Sequence, residues 1–539
     1  MRLIWVGLIV SFLPLCLRCQ VETTAATQMD TSPGLRTLPP IDKGEAGEIR
    51  EIHRVRPVPL PERGAPAPAG IVPHAPMLAP KKLAVSESRS FPGIGPGAPT
   101  NYHIEVAPPD TNGSVGRTQY VQWVNKGFAV FDKNNGALLS GYTQNGVFTP
   151  AAVDGSALWK GFGKRCEFTN DGDPIVIYDK QADRWLMTQF SIKAGPPYAQ
   201  CIAVSTSPDA MGSYYRYQFD FDKMNDYPKF GVWPDGYYAT FNMFEKGTNG
   251  AFAGARLCAF DRVKMLAGQA ATMQCQPLPN TIGGVLPADL DGSTPPPANS
   301  PGFFMSFGDN LLRFWKFHVD WATPANSKLT GPALIKVPAF DYFCPTETSN
   351  PPKPCIVQPK TTQRLDSLAD RLMYRLAYRN FGDHESLVVN HTVKSDKHAA
   401  IRWYEIRDLQ ADKPTLFQSG NIAPDTSFRW LGTASMDKKG NILLGYTASD
   451  SKQYPSLRFV GRNATDTAGV MSLEEILQKG GGSQLPDGGD PLSRWGDYSS
   501  MSVDPTDDCT FWFTSQFQAT TGSMNWSTVI SRVRLASCQ

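Results

Sequence analysis

Short strand-and-turn units recur along this chain from about residue 101 to its end, and they constrain the fold more than any other feature. In each unit, Gly, Pro, Asn or Asp turns separate short runs rich in aromatic and β-branched residues, which is the pattern of antiparallel hairpins. Seven units can be distinguished, at a spacing of about 45 to 65 residues that is typical of propeller blades. The sequence therefore predicts an all-β fold, a β-propeller of antiparallel four-stranded blades, with about seven blades and six or eight as alternatives.

Two other all-β arrangements fit the same units, a pair of β-sandwiches and a β-helix. Helical spacing is scarce in the sequence. The end of the run ARLCAFDRVKMLAG predicts one short helix, and Leu473 to Lys479 predicts another from its spacing and its good helix formers.

The amino-terminal hundred residues predict export. A basic start at Arg2 precedes an apolar run, Leu3 to Leu17, that is short for a membrane span, so residues 1–20 are predicted to be a signal peptide, with an uncleaved anchor as the alternative. Residues 21–100 are rich in proline and poor in aromatics and are predicted to be a disordered Pro-rich linker or propeptide. Residues 101–539 then form the β-propeller domain.

Composition narrows the choice of partners. Charged residues make up 19% of the chain and the formal net charge is +2, so nothing favours nucleic acid or an anionic membrane surface. We expect a secreted protein, or one at the cell surface or in the periplasm, that is a monomer without a membrane span after signal cleavage.

Eight cysteines follow the signal segment, and an even number in an exported chain predicts disulfides. No spacing typical of zinc sites is present. Sequence does not fix connectivity, but the intervals favour pairs of neighbours: Cys166 with Cys201, Cys258 with Cys275, Cys344 with Cys355, and Cys509 with Cys538.

Three turns resemble the Asp-box of bacterial sialidases and related propellers. They begin at Ser207-Pro-Asp209, Ser435-Met-Asp437 and Ser502-Val-Asp504, and each has one residue more than the sialidase pattern between its Asp and the following Gly or Asp507. In sialidases these boxes fold a hairpin between the outer strands and are structural, so the resemblance implies a propeller fold.

A second resemblance covers most of residues 101–539. The ordered segments DTNGSVG, DYPKFGVWPDGYY, RLMYRLAYRNFGDHESLVVNHTV, RWYEIRD and RWGDYSSMSVDPTDDCTFW resemble a family of large secreted bacterial proteins of unassigned activity. This resemblance implies a shared fold and export but no particular chemistry.

Polar residues just before the first strand of each unit are the main candidates for function, because loops at one end of a propeller channel form its binding site. Their alternative role is to cap turns and to form structural ion pairs. The residues are Asp110, Asn112, Asp171, Asp173, Asp226, Tyr227, Asp370, Arg371, Arg429, Arg494 and Asp497.

Hydrolysis of a glycosidic bond requires two acidic groups that flank it. The candidate carboxylates are Glu385, Asp226, Asp173 and Asp497. In a sialidase-like scheme, Tyr498 or Tyr227 is the oxygen nucleophile, and His384 is either a base or a turn residue. The sequence contains no GxSxG, HExxH or P-loop motif, which argues against esterases, zinc proteases and nucleotide-binding enzymes.

Arginines offer a way to bind an anionic sugar. Arg371, Arg375 and Arg379 lie on one face of a strand or of a helix at their spacing of four. Sialidases clamp a carboxylate with arginines from separate blades, so the resemblance favours a triad of Arg371 or Arg375 with Arg429 and Arg494.

Two further features bear on ligands. Oxygen-rich loops containing Asp110, Asn112, Asp171 and Asp173 could hold structural calcium, although none has EF-hand spacing and the same residues form ordinary turns. Five tryptophans could stack on sugar rings, although strand aromatics usually pack in the core. They are Trp185, Trp233, Trp315, Trp403 and Trp495.

The function predicted from the sequence is that of a secreted propeller that engages an extracellular glycan or polymer at its channel mouth, as a sialidase-like glycoside hydrolase. The alternative is a non-catalytic propeller for carbohydrate binding, adhesion or surface structure.

Overall fold

The computed structural model of this protein describes residues 21–38, 51–52, 58–61, 80–245, 250–344 and 354–539. Within these ranges helix is limited to α1 (Lys164–Phe168), α2 (Arg262–Leu266) and three short 3-10 turns. Helix α2 confirms the short helix predicted at the end of the run ARLCAFDRVKMLAG. The 3-10 turns are Leu35–Thr37, Gly155–Trp159 and Pro324–Asn326.

The first strands of the chain belong to an amino-terminal arm, defined here as the described residues before 93. These strands are β1 (Glu22–Ala25), β2 (Gln28–Thr31), β3 (Glu51–Ile52) and β4 (Val85–Pro92). Strand β3 pairs in parallel with β5 (Val106–Ala107).

Seven four-stranded units follow, each a set of antiparallel strands in sequence order. In blade 1 the strands are β6 (Asn112–Val115), β7 (Gln119–Val124), β8 (Gly127–Asp132) and β11 (Val153–Asp154), with a separate hairpin of β9 (Gly141–Gln144) and β10 (Val147–Pro150). Blade 2 contains β12 (Ile175–Asp179), β13 (Arg184–Ser191), β14 (Tyr198–Ser205) and β15 (Tyr214–Phe221). Blade 3 contains β16 (Met224–Val232), β17 (Gly236–Phe244), β18 (Phe252–Asp261) and β19 (Thr272–Pro277).

The remaining blades have the same order. Blade 4 contains β20 (Leu286–Asp291), β21 (Gly302–Gly308), β22 (Leu311–His318) and β23 (Lys328–Lys336). Blade 5 contains β24 (Met373–Asn380), β25 (Glu385–Ser395), β26 (His398–Arg407) and β27 (Thr415–Ile422). Blade 6 contains β28 (Phe428–Met436), β29 (Ile442–Ser449), β30 (Ser456–Arg462) and β31 (Glu475–Gln478). Blade 7 contains β32 (Ser500–Val503), β33 (Thr510–Phe517), β34 (Ser527–Leu535) and, at its outer edge, β4.

The first strand of each blade lies at the centre of a closed ring. Each of β6, β12, β16, β20, β24, β28 and β32 contacts the first strand of the blade on either side, and β32 returns to β6. Strands β20 and β24 even pair in parallel, which joins blades 4 and 5. The fold is therefore a β-propeller with seven blades, as the strand-and-turn pattern predicted.

The arm differs from the disordered linker or propeptide predicted for residues 21–100. Strands β1 and β2 extend blades 3 and 2 by pairing with β19 and β15, and β4 completes blade 7 by pairing with β34. The propeller therefore includes strands that precede the predicted start at residue 101. The signal peptide predicted for residues 1–20 lies outside the described residues.

One helix prediction was wrong. Instead of a helix over residues 473–479, the chain forms strand β31, which pairs with β30 at the edge of blade 6. Pairing with an available sheet edge outweighs the weak helix propensity of so short a segment.

The cores lie mainly between adjacent blades and are aromatic. Trp233 packs edge-on against Phe303 and Tyr378, and Trp512 stacks on Tyr120 across the closure between blades 7 and 1. All five tryptophans that were considered as sugar platforms are at most 1% exposed, so they belong to this core.

All four predicted disulfides are present. Cys166–Cys201 attaches α1 to β14, and Cys258–Cys275 joins opposite residues of β18 and β19. Cys509–Cys538 holds the carboxyl terminus against blade 7. Cys344–Cys355 lies in the connection between blades 4 and 5. All four bridges therefore join residues of one blade or of a connection next to it, and none joins distant blades.

Candidate functional site

The candidate site lies at the end of the ring where the inner strands begin, which we call the mouth face; the opposite end is the far face. In six blades a residue with a left-handed backbone lies near the start of the inner strand. It stands either just before the strand or at a bulge within it. These residues are Asp110, Asp173, Tyr227, Gly284, Leu431 and Asp497, with φ between 47° and 58°. A non-glycine residue in this conformation costs roughly 1–2 kcal/mol, so the repeated turn is imposed by the fold around it.

A pair of carboxyl groups, Asp110 from blade 1 and Asp173 from blade 2, forms the centre of the site. Asp110 is fully buried, and Asp173 is 6% exposed. Neither oxygen of Asp110 has a well-formed hydrogen bond to a described residue. Burial, and then the charge of Asp173, raise the pKa of Asp110 well above its usual value. Asp110 therefore keeps its proton to higher pH than an exposed aspartate does.

A hydrogen-bonded asparagine sets the position of this pair. Asn125, in the turn between β7 and β8, accepts a hydrogen bond from the backbone nitrogen of Asp173 at 3.0 Å. Its side-chain nitrogen donates to the carbonyl of Pro108 at 2.6 Å. One side chain thus holds the starts of blades 1 and 2 together.

Lys229 of blade 3 lies beside the pair, between two tyrosine rings. Its Nζ atom is 3.6 Å from the ring centroid of Tyr227 and 3.8 Å from that of Tyr498, and it donates to the carbonyl of Pro228. Burial lowers the pKa of Lys229 to about 7, against the opposing attraction of Asp173 and Asp110. A lysine with this pKa can both accept and release a proton near neutral pH.

The two tyrosines keep their protons. Burial raises the pKa of Tyr227 and of Tyr498, and the hydroxyl of Tyr498 donates to the carbonyl of Pro174 at 3.2 Å. In this arrangement the rings surround the ammonium of Lys229. A nucleophilic role for either tyrosine would require a base to remove its proton.

Two arginines stand at the rim of the mouth face. Arg371 pairs with Asp370 at 2.7 Å, and its guanidinium lies 4.5 Å from the ring centroid of Tyr227. Arg494 pairs with Asp497, with Nε donating to Oδ1 at 2.7 Å. Asp226 lies within electrostatic reach of Lys229 and Arg371. The site therefore combines carboxyl groups, a buried lysine and two paired arginines.

The predicted arginine triad is not assembled. Arg429 is fully buried inside blade 6, where it binds Glu474 at 2.6 Å and Asp425 at 2.8 Å. Arg375 points into the central channel and binds Asp289 and Asp291. Of the predicted set, only Arg371 and Arg494 reach the mouth face. The side chain of Arg375 points from its strand into the central channel, and that of Arg429 points into blade 6.

His384, in the turn between β24 and β25, and Glu385, the first residue of β25, lie on the far face. Glu385 accepts hydrogen bonds from Tyr378 at 2.6 Å and Gln410 at 3.0 Å. His384 contacts Asp383 and stacks on Phe381. Strand β24 has eight residues and so separates this turn from the mouth face by about 26 Å. Glu385 therefore does not share a cavity with Asp226.

The residues predicted as calcium ligands are divided. Asp171 accepts hydrogen bonds from the backbone nitrogens of Ile192 and Lys193, and Asn112 accepts one from Val176, so both act in the structure of the loops. Asp110 and Asp173 alone come together. In the part of the chain that the structure describes, no group of three or more His, Cys, Asp or Glu residues is arranged to hold a metal ion. Calcium binding stays a prediction.

Of the three turns that resemble the Asp-box, only the one at Asp209 lies between the outer strands of a blade, β14 and β15. Those at Asp437 and Asp504 lie between the first and second strands of blades 6 and 7. Each aspartate accepts a hydrogen bond from a backbone nitrogen two residues on. All three are turn-forming groups.

Sequence reasoning favoured Glu385 and Arg429 and passed over Lys229 and the raised pKa of Asp110. A signal for Lys229 was present, since a lone lysine inside the apolar run YPKFGVW must be buried if that run is an inner strand. The raised pKa of Asp110 had no such signal, because it depends on burial in the folded protein and on Asp173, 63 positions away in another blade.

No protein-family model matches this chain, and no curated protein matches it. Among solved structures, the alignment with the N-terminal domain of Nup159 covers 85% of this chain and 98% of the Nup159 chain, at 10% identity and a TM-score of 0.34. The WD40 domain of SCAP from fission yeast aligns over 78% and 82%, at 6% identity and a TM-score of 0.32. An endo-arabinase from Bacteroides thetaiotaomicron aligns over 55% and 95%, at 15% identity and a TM-score of 0.28. Since these TM-scores are below 0.5, the fold is assigned from the ring of inner strands.

No helix within the described ranges has the length and hydropathy needed to span a bilayer.

Proposed function

We propose that this protein is a secreted propeller that binds an extracellular glycan at its mouth face and cleaves it as a glycoside hydrolase. The observation that carries the proposal is the Asp110–Asp173 pair beside Lys229. Protonation of a glycosidic oxygen requires a carboxyl group whose pKa is raised above that of an exposed aspartate. The four disulfides support export, because such bonds persist in oxidising compartments.

Two carboxyl groups with different roles are needed. Asp110 is the general acid, since burial and Asp173 favour its protonated form. Asp226, in reach of Lys229 and Arg371, is the second carboxyl group and acts as base or nucleophile. The rim arginines Arg371 and Arg494 would orient a sugar that carries a carboxylate.

The test is sugar release from a panel of neutral, sialylated and uronate-containing polysaccharides. It is run with the full chain and with Val58→Glu protein. Val58 of the arm is buried where its backbone nitrogen donates to Asp370, next to Arg371, so a charge at this position weakens the contact of the arm at the mouth face. We expect Asp110→Asn and Asp226→Asn to lower the rate about 100-fold or more, as loss of an acid or base does. Glu385→Gln, on the far face, is the matched control and should keep full activity.

Absence of release from every polysaccharide, with folded protein in each case, would contradict the hydrolase. A non-catalytic glycan-binding role is the second candidate, and it is favoured by the ion pairs that already hold Arg371 and Arg494. In that case glycan would raise the melting temperature equally in the parent, Asp110→Asn and Asp226→Asn proteins, without turnover.

A further inference from the structure

A short segment of the arm, residues 58–61, lies in a groove at the mouth face between blades 3, 4 and 5. The backbone nitrogen of Val58 donates to Oδ2 of Asp370 at 3.1 Å, and the side chain of Val58 is 3% exposed. Leu60 packs against the main hydrophobic core, and Pro59 and Pro61 line a small cleft. The segment VPLP is thus bound as an extended peptide would be.

Small residues shape this groove. Gly283, just before β20, faces the side chain of Val58, and a Cβ atom at position 283 would clash with it. Gly284, Phe307, Arg313, Asp370 and Arg371 form the rest of the wall. An apolar floor with one carboxylate acceptor for a backbone nitrogen fits an extended peptide in which prolines leave few amide groups to satisfy.

The groove is continuous with the candidate site. Asp370, which binds Val58, also binds Arg371, and the guanidinium of Arg371 covers the ring of Tyr227. Tyr227 in turn covers Lys229. The arm also touches the opposite side of the ring, because β3 pairs with β5 three residues before Asp110. The two described pieces of the arm between residues 51 and 61 thus both make their contacts at the mouth face.

We propose that this groove is a peptide-binding site that the chain's own arm fills, and that the filled groove closes the mouth face. The bound segment is Val58 to Pro61, which contributes one backbone donor and four apolar side chains. Displacement of the segment opens the way to Lys229 and the carboxyl pair. The statement that a glycan then enters rests on the function proposed above, whereas the closure of the mouth face is independent of that function.

Three variants separate this proposal from a general loss of structure. Val58→Glu places a charge against Asp370 on the arm side, and Gly283→Ala fills the groove on the blade side. Arg36→Ala is the matched control, because Arg36 holds the arm to Asp209 on blade 2 through an exposed ion pair. Melting temperatures establish that all three proteins are folded.

Two measurements report on the mouth face without any glycan. Hydrogen exchange of residues 283–285 and 369–372 reports on the groove. Acylation of Lys229 by an amine-reactive acylating reagent at pH 8 reports on access to the site. Mass spectrometry identifies the labelled lysine. We expect both rates to rise at least tenfold in Val58→Glu and Gly283→Ala and to stay unchanged in Arg36→Ala. A peptide with the sequence of residues 51–61 should slow the labelling of Val58→Glu protein again.

Unchanged exchange in the two groove variants would overturn the binding site, and faster exchange with unchanged labelling of Lys229 would overturn the closure. Faster labelling without sugar release from the polysaccharide panel would confirm the closure and contradict the hydrolase. Faster labelling together with faster sugar release would support both.

Discussion

At the scale of single residues, Arg375 ties together more blades than its position on one strand suggests. From blade 5 it binds Asp289 at 2.5 Å and Asp291 at 2.8 Å in blade 4, and it donates to Ser435 of blade 6 and the carbonyl of Met501 in blade 7. Lys180 of blade 2 also binds Asp291. Burial would raise the pKa of Asp291, but the charges of Arg375 and Lys180 outweigh it and lower this pKa.

Replacement of Arg375 by leucine should destabilise the protein by about 3–5 kcal/mol, because it leaves two carboxylates buried without their main partner. Chemical denaturation of the parent and the Arg375→Leu protein measures this difference. Arg117→Ala is the control. It removes an exposed ion pair with Asp183 and should change the free energy of unfolding by less than about 1 kcal/mol. Equal small effects of both changes would contradict the structural role of Arg375.

His391 gives the molecule a specific sensitivity to acid. The side chain is fully buried, stacks on Tyr404 and hydrogen-bonds to its hydroxyl at 2.9 Å. Burial, and to a lesser extent Arg402, lower the pKa of His391 to about 3. The unfolded chain, with a histidine pKa near 6.5, therefore binds a proton between these values that the folded chain does not bind.

Stability should consequently fall as the pH falls below about 6.5, by about 3 kcal/mol at pH 4.5 from this residue alone. His391→Asn should remove most of that dependence while lowering stability at pH 7. The measurement is denaturant unfolding at pH 7 and at pH 4.5. His103→Asn, at an exposed histidine, should leave the pH dependence as it is. The same steep dependence in the His391→Asn protein would show that other groups cause it.

At the scale of elements, the inner strands share a plan at both ends. In six blades a left-handed residue lies just before the strand or near its start on the mouth face, and in blades 2, 6 and 7 an aspartate folds the turn that follows on the far face. Asp179 accepts backbone hydrogen bonds from Gln181 and Ala182, and Asp437 and Asp504 act in the same way in blades 6 and 7. These turns end the inner strands, so the polar residues before a strand lie on the mouth face and those after it lie on the far face.

Strand β4 closes the ring, and its removal should have a larger effect than removal of the arm that precedes it. A chain that begins at residue 80 keeps β4, whereas a chain that begins at residue 93 exposes the edge of β34 and its unpaired backbone groups. We expect the shorter chain to melt at a temperature at least about 10 °C lower and to aggregate, as measured by thermal unfolding and size-exclusion chromatography. Equal melting of the two chains would contradict the closing role of β4.

At the scale of the whole molecule, the arm contacts both the outer edges of blades and the mouth face. Strands β1 and β2 extend blades 3 and 2, β3 pairs before blade 1, residues 58–61 lie against blades 3 to 5, and β4 completes blade 7. The arm thus contacts most of the ring. This arrangement explains how the described pieces of a proline-rich segment become ordered, because each piece uses a sheet edge or groove that the propeller provides.

The repeated units, the seven blades and the four disulfides followed from the sequence, because each depends on residues close together in the chain. Alternating apolar residues define a strand, Asp and Gly define its turns, and cysteines 11 to 35 positions apart lie within reach of each other. The candidate position of the site at the mouth face also followed, since Asp110 comes just before an inner strand, Asp226 lies near the start of one, and Arg494 lies in the loop that leads to one.

The tertiary structure alone decided which of these residues meet. Ser90 of β4 and Ser531 of β34 hydrogen-bond although they are 441 positions apart, and no local pattern marks such a pairing. Arg429 and Glu385 had the same kind of sequence context as Arg371 and Asp226, but one points into a blade and the other lies at the far end of its strand. Local sequence sets strand, turn and alternation, whereas burial beside a partner from another blade, as for Asp110 and Lys229, sets the chemistry.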